Sequence, residues 1–389
     1  MHIVRPTLLA AAWVICTVQS TAQPRQPWQM QDSGATAGLR GIDSVSGMVA
    51  WASGTDGTVL RTTDGGAHWM KCTVPDAATD GANLDFRGVQ AWDAQTAIVM
   101  SSGKGRLSRL YKTTDGCKTW KLLFTNPESE GFYDALLFID RQHGIVLGDP
   151  ARGDPRINPV EGGYFTFRIR VTNDGGKKWA PVTDPEFGQP GKNVQPMSGE
   201  AFFAASNSSM AVRDGWLWMG TGQNRLLRRM ISAPNFQASY CAGAIDPFSN
   251  SCGIPWLGWP IARVPLAKGN ASSGIFSVAF RDEQHGMVAG GDYTKPNESS
   301  GTAARSADGG EHWTASATPP HGYRSAVQWS ESLKLWITAG TNGSDISRDD
   351  GRTWQPLDNG NWNALSLPFV VGPNGRIARL NPSALPTGK

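Results

Sequence analysis

One phrase occurs five times in this chain and leaves it few folds to choose from. The copies are Thr62-Thr-Asp64-Gly-Gly66-Ala-His-Trp69, Thr113-Thr-Asp115-Gly-Cys-Lys-Thr-Trp120, Thr172-Asn-Asp174-Gly-Gly-Lys-Lys-Trp179, Ser306-Ala-Asp308-Gly-Gly-Glu-His-Trp313 and Ser347-Arg-Asp349-Asp-Gly351-Arg-Thr-Trp354. Each has the chemistry of a hairpin turn. The aspartate carboxylate accepts backbone N–H groups, glycine permits a left-handed backbone, and the tryptophan covers the turn from the following strand. Each copy ends a similar unit of short alternating strands, so the pattern predicts four strands per unit. The interval between Trp179 and Trp313 is far longer than the others and must hold a degenerate unit that has lost its phrase.

Aligned by that pattern, the inner strands begin at Leu39-Arg40, Phe86-Arg87, Tyr133-Asp134, Gly199-Glu200, Ile275-Phe276, Tyr323-Arg324 and Trp362-Asn363. Seven units in the 367 residues that follow residue 22 leave about 52 residues each, the size of one four-stranded propeller blade with insertions. The expected fold is therefore an all-β, seven-bladed β-propeller. The last unit, from Asn363 to Leu380, offers only three strands. Trp28-Gln-Met-Gln31 can supply the fourth, pairing the two ends of the chain and closing the ring without an open edge. Composition agrees: 46 glycines and 25 prolines disfavour a helical bundle, and 16 tryptophans supply core.

Residues 1–22 read as a secretory signal, with an apolar run from Thr7 to Val18 and small residues before Gln23. That run is too short for a membrane span, and the bulky Ile15 before Cys16 argues against lipoprotein processing. The mature chain, 23–389, is expected to be one propeller domain with an insertion at 232–258, periplasmic or secreted, and monomeric. In an exported chain Cys241 and Cys252, close together in a turn-rich stretch, are the expected disulfide; spacing leaves the pairing of Cys72 and Cys117 open. Lys and Arg total 36 against 33 Asp and Glu, with no block of like charge, so no nucleic-acid footprint is expected.

The phrase is that of the Asp-box, or bacterial neuraminidase repeat. Together with Leu39-Arg40-Gly-Ile, Gly131-Phe-Tyr-Asp134-Ala, Leu147-Gly-Asp149-Pro150 and Gly322-Tyr-Arg324-Ser, it makes the chain resemble exported bacterial relatives of the photosystem II stability/assembly factor family. The resemblance implies a seven-bladed propeller that acts as a non-enzymatic binding or assembly scaffold. No cofactor is expected: no Gly-x-Gly-x-x-Gly follows a strand, there is no haem or flavin signature, and no spacing suggests zinc.

In propellers of this kind the boxes lie on one face and the starts of the inner strands on the other. The aligned first-strand positions then ring the channel mouth: Arg40, Arg87, Asp134, Glu200, Phe276, Arg324 and Asn363. So many charges round a narrow funnel need mutual pairing or a polar ligand. They form either a self-paired, hydrated plug or a site for a protein segment or polar small molecule, engaged through Arg40, Arg87 and Arg324. The alternative function is a sialidase-like or other extracellular glycoside hydrolase, because three arginines and two carboxylates share the ring. Phe167-Arg168-Ile169-Arg170 resembles the sialidase Phe-Arg-Ile-Pro motif. It leads into the third box rather than the first and lacks the proline, so it is read as an ordinary strand with exposed arginines. His143 and His285 sit at matching turns and are read as turn-stabilising residues rather than metal ligands.

Overall fold

A computed structural model describes residues 26–75, 80, 83–152, 165–182, 195–231, 260–267 and 270–386. The leader at 1–22, the insertion at 232–258 and the Cys241–Cys252 pair lie outside these residues. The described residues form seven four-stranded antiparallel sheets, six of them with strands in chain order. The first comprises Leu39–Ser44, Ala50–Gly54, Val59–Thr62 and Met70–Cys72. The other inner strands are Phe86–Ala91, Tyr133–Phe138, Met210–Arg213, Ser273–Phe280, Ala326–Ser330 and Ala364–Ser366. The arrangement is an all-β, seven-bladed propeller. Its seventh sheet takes its outer strand from Trp28–Gln31, in register from Trp28 opposite Leu380 to Gln31 opposite Ile377.

Packing explains the strand sequences. The second strands, such as Ala97–Ser101 and Leu335–Gly340, are buried along their whole length because a neighbouring blade covers each face, so they read as unbroken runs of small and apolar residues. Outer strands such as Lys121–Thr125 meet solvent. The cores lie between sheets: Trp51 and Val59 of the first pack with Phe86, Val99 and Tyr111 of the second. At the closure Leu39, Ile42 and Ala52 meet Phe369 and Ile377.

The five recurring turns share one hydrogen-bond scheme. In the first, the Thr62 hydroxyl donates to Asp64 Oδ1 at 2.8 Å and accepts the Gly66 N–H at 2.9 Å, while Asp64 Oδ1 accepts the His68 N–H at 3.0 Å. Thr113, Thr172, Ser306 and Ser347 repeat it at 2.8–3.0 Å. The carboxylate was legible as an acceptor in sequence; the hydroxyl as pivot was not. In four copies the second residue after the aspartate is a glycine with φ of 74° to 90°, whereas the second turn has Cys117 there at φ 64°. Cys117 is bridged to Cys72 of the first blade's outer strand, a staple between adjacent blades.

His143 and His285 do stabilise turns: each ring Nδ1 contacts a carboxylate oxygen, of Asp140 at 2.7 Å and Asp282 at 2.8 Å. The arginines of Phe167-Arg168-Ile169-Arg170 are not exposed. Both are buried, and Glu128 pairs with Arg168 at 2.7 Å and with Arg170 at 2.9 Å.

Candidate functional site

Four inner strands begin with a bulge, and the bulge decides which side chain enters the channel. Register slips between Leu39 and Gly41, Phe86 and Gly88, Tyr133 and Ala135, and Ile275 and Ser277. The extra residue at each slip is re-aimed out of the sheet. Those residues are Arg40, Arg87, Asp134 and Phe276, and all four line one cavity of about 430 Å³. Asn363 lines it as well, its backbone N–H donating to Val371 O at 2.7 Å and its amide to Leu39 O at 2.7 Å.

Two ring positions expected from sequence are occupied by other residues. In the sixth blade the register begins one residue later. Arg324 N–H donates to Gly290 O at 2.9 Å, as Leu39 and Trp362 donate to Gly372 and Gly340 of their own preceding blades. Arg324 therefore takes the wedge position between blades and is wholly buried, its Nε on Asp345 Oδ2 at 2.6 Å and Nη1 on Asn342 Oδ1 at 2.5 Å. Ser325 replaces it in the cavity wall. In the fourth blade the inner strand is Met210–Arg213, and Glu200 precedes it in irregular chain. Glu200 is buried against Arg225 Nε at 2.8 Å and Thr221 Oγ1 at 2.6 Å. Phe203 takes the channel place instead, stacked 3.7 Å from Phe276.

The three arginines and two carboxylates thus do not converge. The mouth has a polar half and an aromatic half. On the polar side Arg87 Nε donates to Asp85 Oδ2 at 2.7 Å and its Nη1 reaches Ala204 O at 3.3 Å. Arg40 Nε lies 3.9 Å from Asp85 Oδ1 and has no hydrogen-bond partner; burial lowers its pKa. Asp134 is 2% exposed, and its Oδ2 is also unpartnered. Burial, and then the neighbouring Asp149, push the Asp134 carboxyl well above the usual range. Asp149 is itself pushed up to about 6 by burial, although its Oδ1 accepts the Phe202 N–H at 2.9 Å. On the aromatic side Tyr323 stands edge-on to Phe276 at 4.8 Å, and the half-exposed Tyr293 lies beyond it at 6.2 Å.

Sequence reasoning did not assign Phe203 or Tyr323 to the wall. For Asp149 a signal existed: it follows Leu147-Gly148 in the second strand, Gly144–Arg152, as Asp292 follows Gly290-Gly291 at the end of the equivalent strand, Gly286–Asp292. Asp292 is instead saturated by Ser272, Asn270 and Thr294. Among the described residues no group of three or more His, Cys, Asp and Glu side chains could hold a metal, and no helix is long and apolar enough to cross a membrane.

No protein-family model matches the chain. The photosystem II assembly lipoprotein Ycf48 of Synechococcus sp. (strain CC9902) is 21% identical over 371 residues, covering 91% of this chain and 88% of the relative. Among solved structures, Ycf48 bound to D1 peptide aligns with a TM-score of 0.56 at 14% identity, covering 92% of this chain and 98% of that one. U3-55K aligns with a TM-score of 0.53 at 11% identity, covering 91% and 98%. The chain thus shares its seven-bladed propeller fold with these structures and, along nine-tenths of its length, is similar in sequence to the photosystem II assembly lipoprotein Ycf48.

Proposed function

We propose that this chain is an exported, non-catalytic binding scaffold that holds a segment of a client protein in the channel mouth during assembly. The observation that carries the reading is the state of the mouth. Arg40 Nε, Asp134 Oδ2 and Thr341 Oγ1 are buried around one cavity with no hydrogen-bond partner. Unpaired buried polar groups cost roughly 1–3 kcal/mol each, a cost that a ligand's own polar groups remove. A plug closed by direct pairing of these side chains would leave no such atoms. The rigid ring presents Arg40, Arg87, Asp134, Phe276 and Asn363, with Phe203 and Asp149, as contact residues.

The solved Ycf48 relative with a D1 peptide supports a protein segment as the occupant. Export of the mature chain, 23–389, to the periplasm or beyond is supported by the Cys72–Cys117 bridge, since disulfides persist in oxidising compartments. The Synechococcus relative being a lipoprotein agrees with export. The five turns fit the Asp-box class by the shared carboxylate and hydroxyl scheme.

The immobilised mature chain should retain a client from native envelope extract, cross-linked through a photoreactive group at Tyr293. The Arg40→Glu/Arg87→Glu variant should lose it. Undiminished retention by that variant would overturn the reading. So would turnover of fluorogenic glycosides, sialosides included, that disappears in Asp134→Asn.

A further inference from the structure

Count the charges that face one another across the mouth. Arg40 and Arg87 share the single carboxylate of Asp85. Asp134 and Asp149 line the same cavity, and among the described residues neither forms a salt bridge with any cation. Asp149 has one oxygen on the Phe202 N–H, and Asp134 has Oδ2 on nothing. Asp134 is 2% exposed, so that oxygen is drawn away from bulk solvent into the cavity wall. With every group ionised the set carries three carboxylates to two guanidiniums, one positive charge short of balance.

We infer that the held segment delivers a primary ammonium group to the Asp134–Asp149 wall, seating its aliphatic carbons against the ring faces of Phe203 and Phe276. The inference rests on the client-binding reading above and names the chemistry of its ligand. An ammonium is compact and carries several N–H donors, enough to serve Asp134 Oδ2 and the second oxygen of Asp149 together. Phe203 lies one residue from the Phe202 N–H that fixes Asp149, so the acidic wall adjoins the aromatic one. Ring faces add attraction for a cation in a desolvated site. Lysine side chains and free α-amino termini both present this group.

In the unliganded mouth, burial and the paired carboxylates favour a proton on Asp134. The titratable groups that line the cavity with it are Asp149, Arg87, Arg40, Tyr293 and Tyr323, of which Asp149 opposes its ionisation and Arg87 favours it. An entering ammonium takes the place of that proton, which passes to buffer. Binding should therefore release a proton and tighten as pH rises from 5 to 7.5.

Three probes separate the sources of the amine: Phe-Ala-Ala-Ala amide with a free α-amine, its N-acetyl form, and N-acetyl-Ala-Phe-Lys-Ala amide. Titration calorimetry of the full mature chain in buffers of differing ionisation heat reads affinity and proton count together. One or both amine-bearing peptides should bind about 10-fold or more tightly than the N-acetyl form, with net proton release. Asp134→Asn, which keeps the side chain's shape, should abolish proton release and most of that preference while retaining its melting transition. Asp149→Asn should do so in part. Equal binding of the acetylated peptide, or affinity that falls as pH rises, would overturn the inference, because Asp134 would then act as a neutral donor to a carbonyl. If the client is still lost in Arg40→Glu/Arg87→Glu, the binding reading survives that result; a client indifferent to those arginines sinks the reading itself.

Discussion

Phe203 and Phe276 come from adjacent blades, and their rings lie 3.7 Å apart and within 11° of parallel. Neither blade repeats the other's sequence here. The stack forms because the fourth blade supplies its channel residue from irregular chain ahead of its inner strand, while the fifth supplies its own from a bulge. Phe276→Ala should cost about 3 kcal/mol of unfolding free energy, and a double-mutant cycle with Phe203→Ala should show coupling of about 1 kcal/mol. Chemical denaturation of the four proteins gives both quantities. Strict additivity would mean that the rings do not stabilise one another.

Cys117 stands where the four other recurring turns have glycine at the same step, and it holds φ 64°. An L side chain there is tolerated at a cost of about 1 kcal/mol, set against a bridge spanning 45 residues, which constrains the unfolded chain by about 4 kcal/mol. Without the bridge the cost remains and the benefit goes. Of two bridge-less proteins, Cys72→Ser/Cys117→Gly should therefore melt higher than Cys72→Ser/Cys117→Ala. The reverse order would show that the backbone at 117 is not left-handed in solution.

Asp43 lies on the channel side of the first inner strand at the place held by Gln90 in the second and Gln328 in the sixth. Gln90 latches the next blade twice, accepting Phe138 N–H at 2.6 Å and donating to Phe138 O at 2.8 Å. Asp43 only accepts, from Ala91 N–H at 2.6 Å, and burial pushes its pKa up to about 6. The folded chain thus holds this proton more tightly than the unfolded chain. Its contribution favours folding below about pH 4 and is lost as pH rises through about 6. Allowing for partial exposure to the channel, on the order of 2 kcal/mol is involved. Asp43→Asn should stabilise the protein at pH 8 and flatten the stability profile between pH 4 and 6, as read by urea melts across that range.

Arg324 and Arg40 looked equivalent in sequence and should behave oppositely on removal. Arg324→Ala strands Asp345, which is wholly buried, and should cost about 3–5 kcal/mol. What holds Asp345 then is His321 Nδ1 at 2.7 Å, a bond that raises the histidine's pKa. That remaining support is complete below about pH 6.5 and disappears as pH climbs above it. Arg40 is partly exposed and only 3.9 Å from Asp85, so Arg40→Ala should change stability by less than about 1 kcal/mol and weaken client binding instead. Equal loss of stability in the two variants would contradict the register assigned to the sixth blade.

These cases show where the sequence was readable. Arg40, Arg87 and Asp134 were legible because a large apolar or aromatic residue (Leu39, Phe86, Tyr133) precedes each and a small one (Gly41, Gly88, Ala135) follows, which is how a repeated bulge looks in one dimension. Arg324 has similar flanks in Tyr323 and Ser325, but Tyr323 N–H is taken by Pro296 O from a long loop, and the strand starts one residue later. Its partner Asp345 lies two strands away, and periodicity carries no record of such an ion pair. Glu200 was misplaced for a related reason: the alignment assumed a strand at a position where the chain is irregular and Phe203 is the residue that reaches the channel. The closing strand was legible because a three-stranded last unit leaves an edge that some other segment must cover.

That closing strand gives the last prediction. Trp28 is buried, donates its indole N–H to Ser344 Oγ at 2.9 Å and packs against Trp362 at 6.1 Å, tying the N-terminal segment to the sixth and seventh blades. Gln31 donates from its amide to Gly65 O at 2.9 Å and accepts the Trp69 indole N–H at 3.1 Å, tying the same segment to the first blade. One four-residue strand therefore touches three blades. Deleting residues 23–32 from the mature chain removes a ladder of four residue pairs with Ile377–Leu380 and bares the edge of the seventh sheet. The melting temperature should fall sharply, and the truncated chain should associate through the exposed edge as concentration rises. An unchanged melting curve for a monomeric truncation would mean that the ring closes by other contacts.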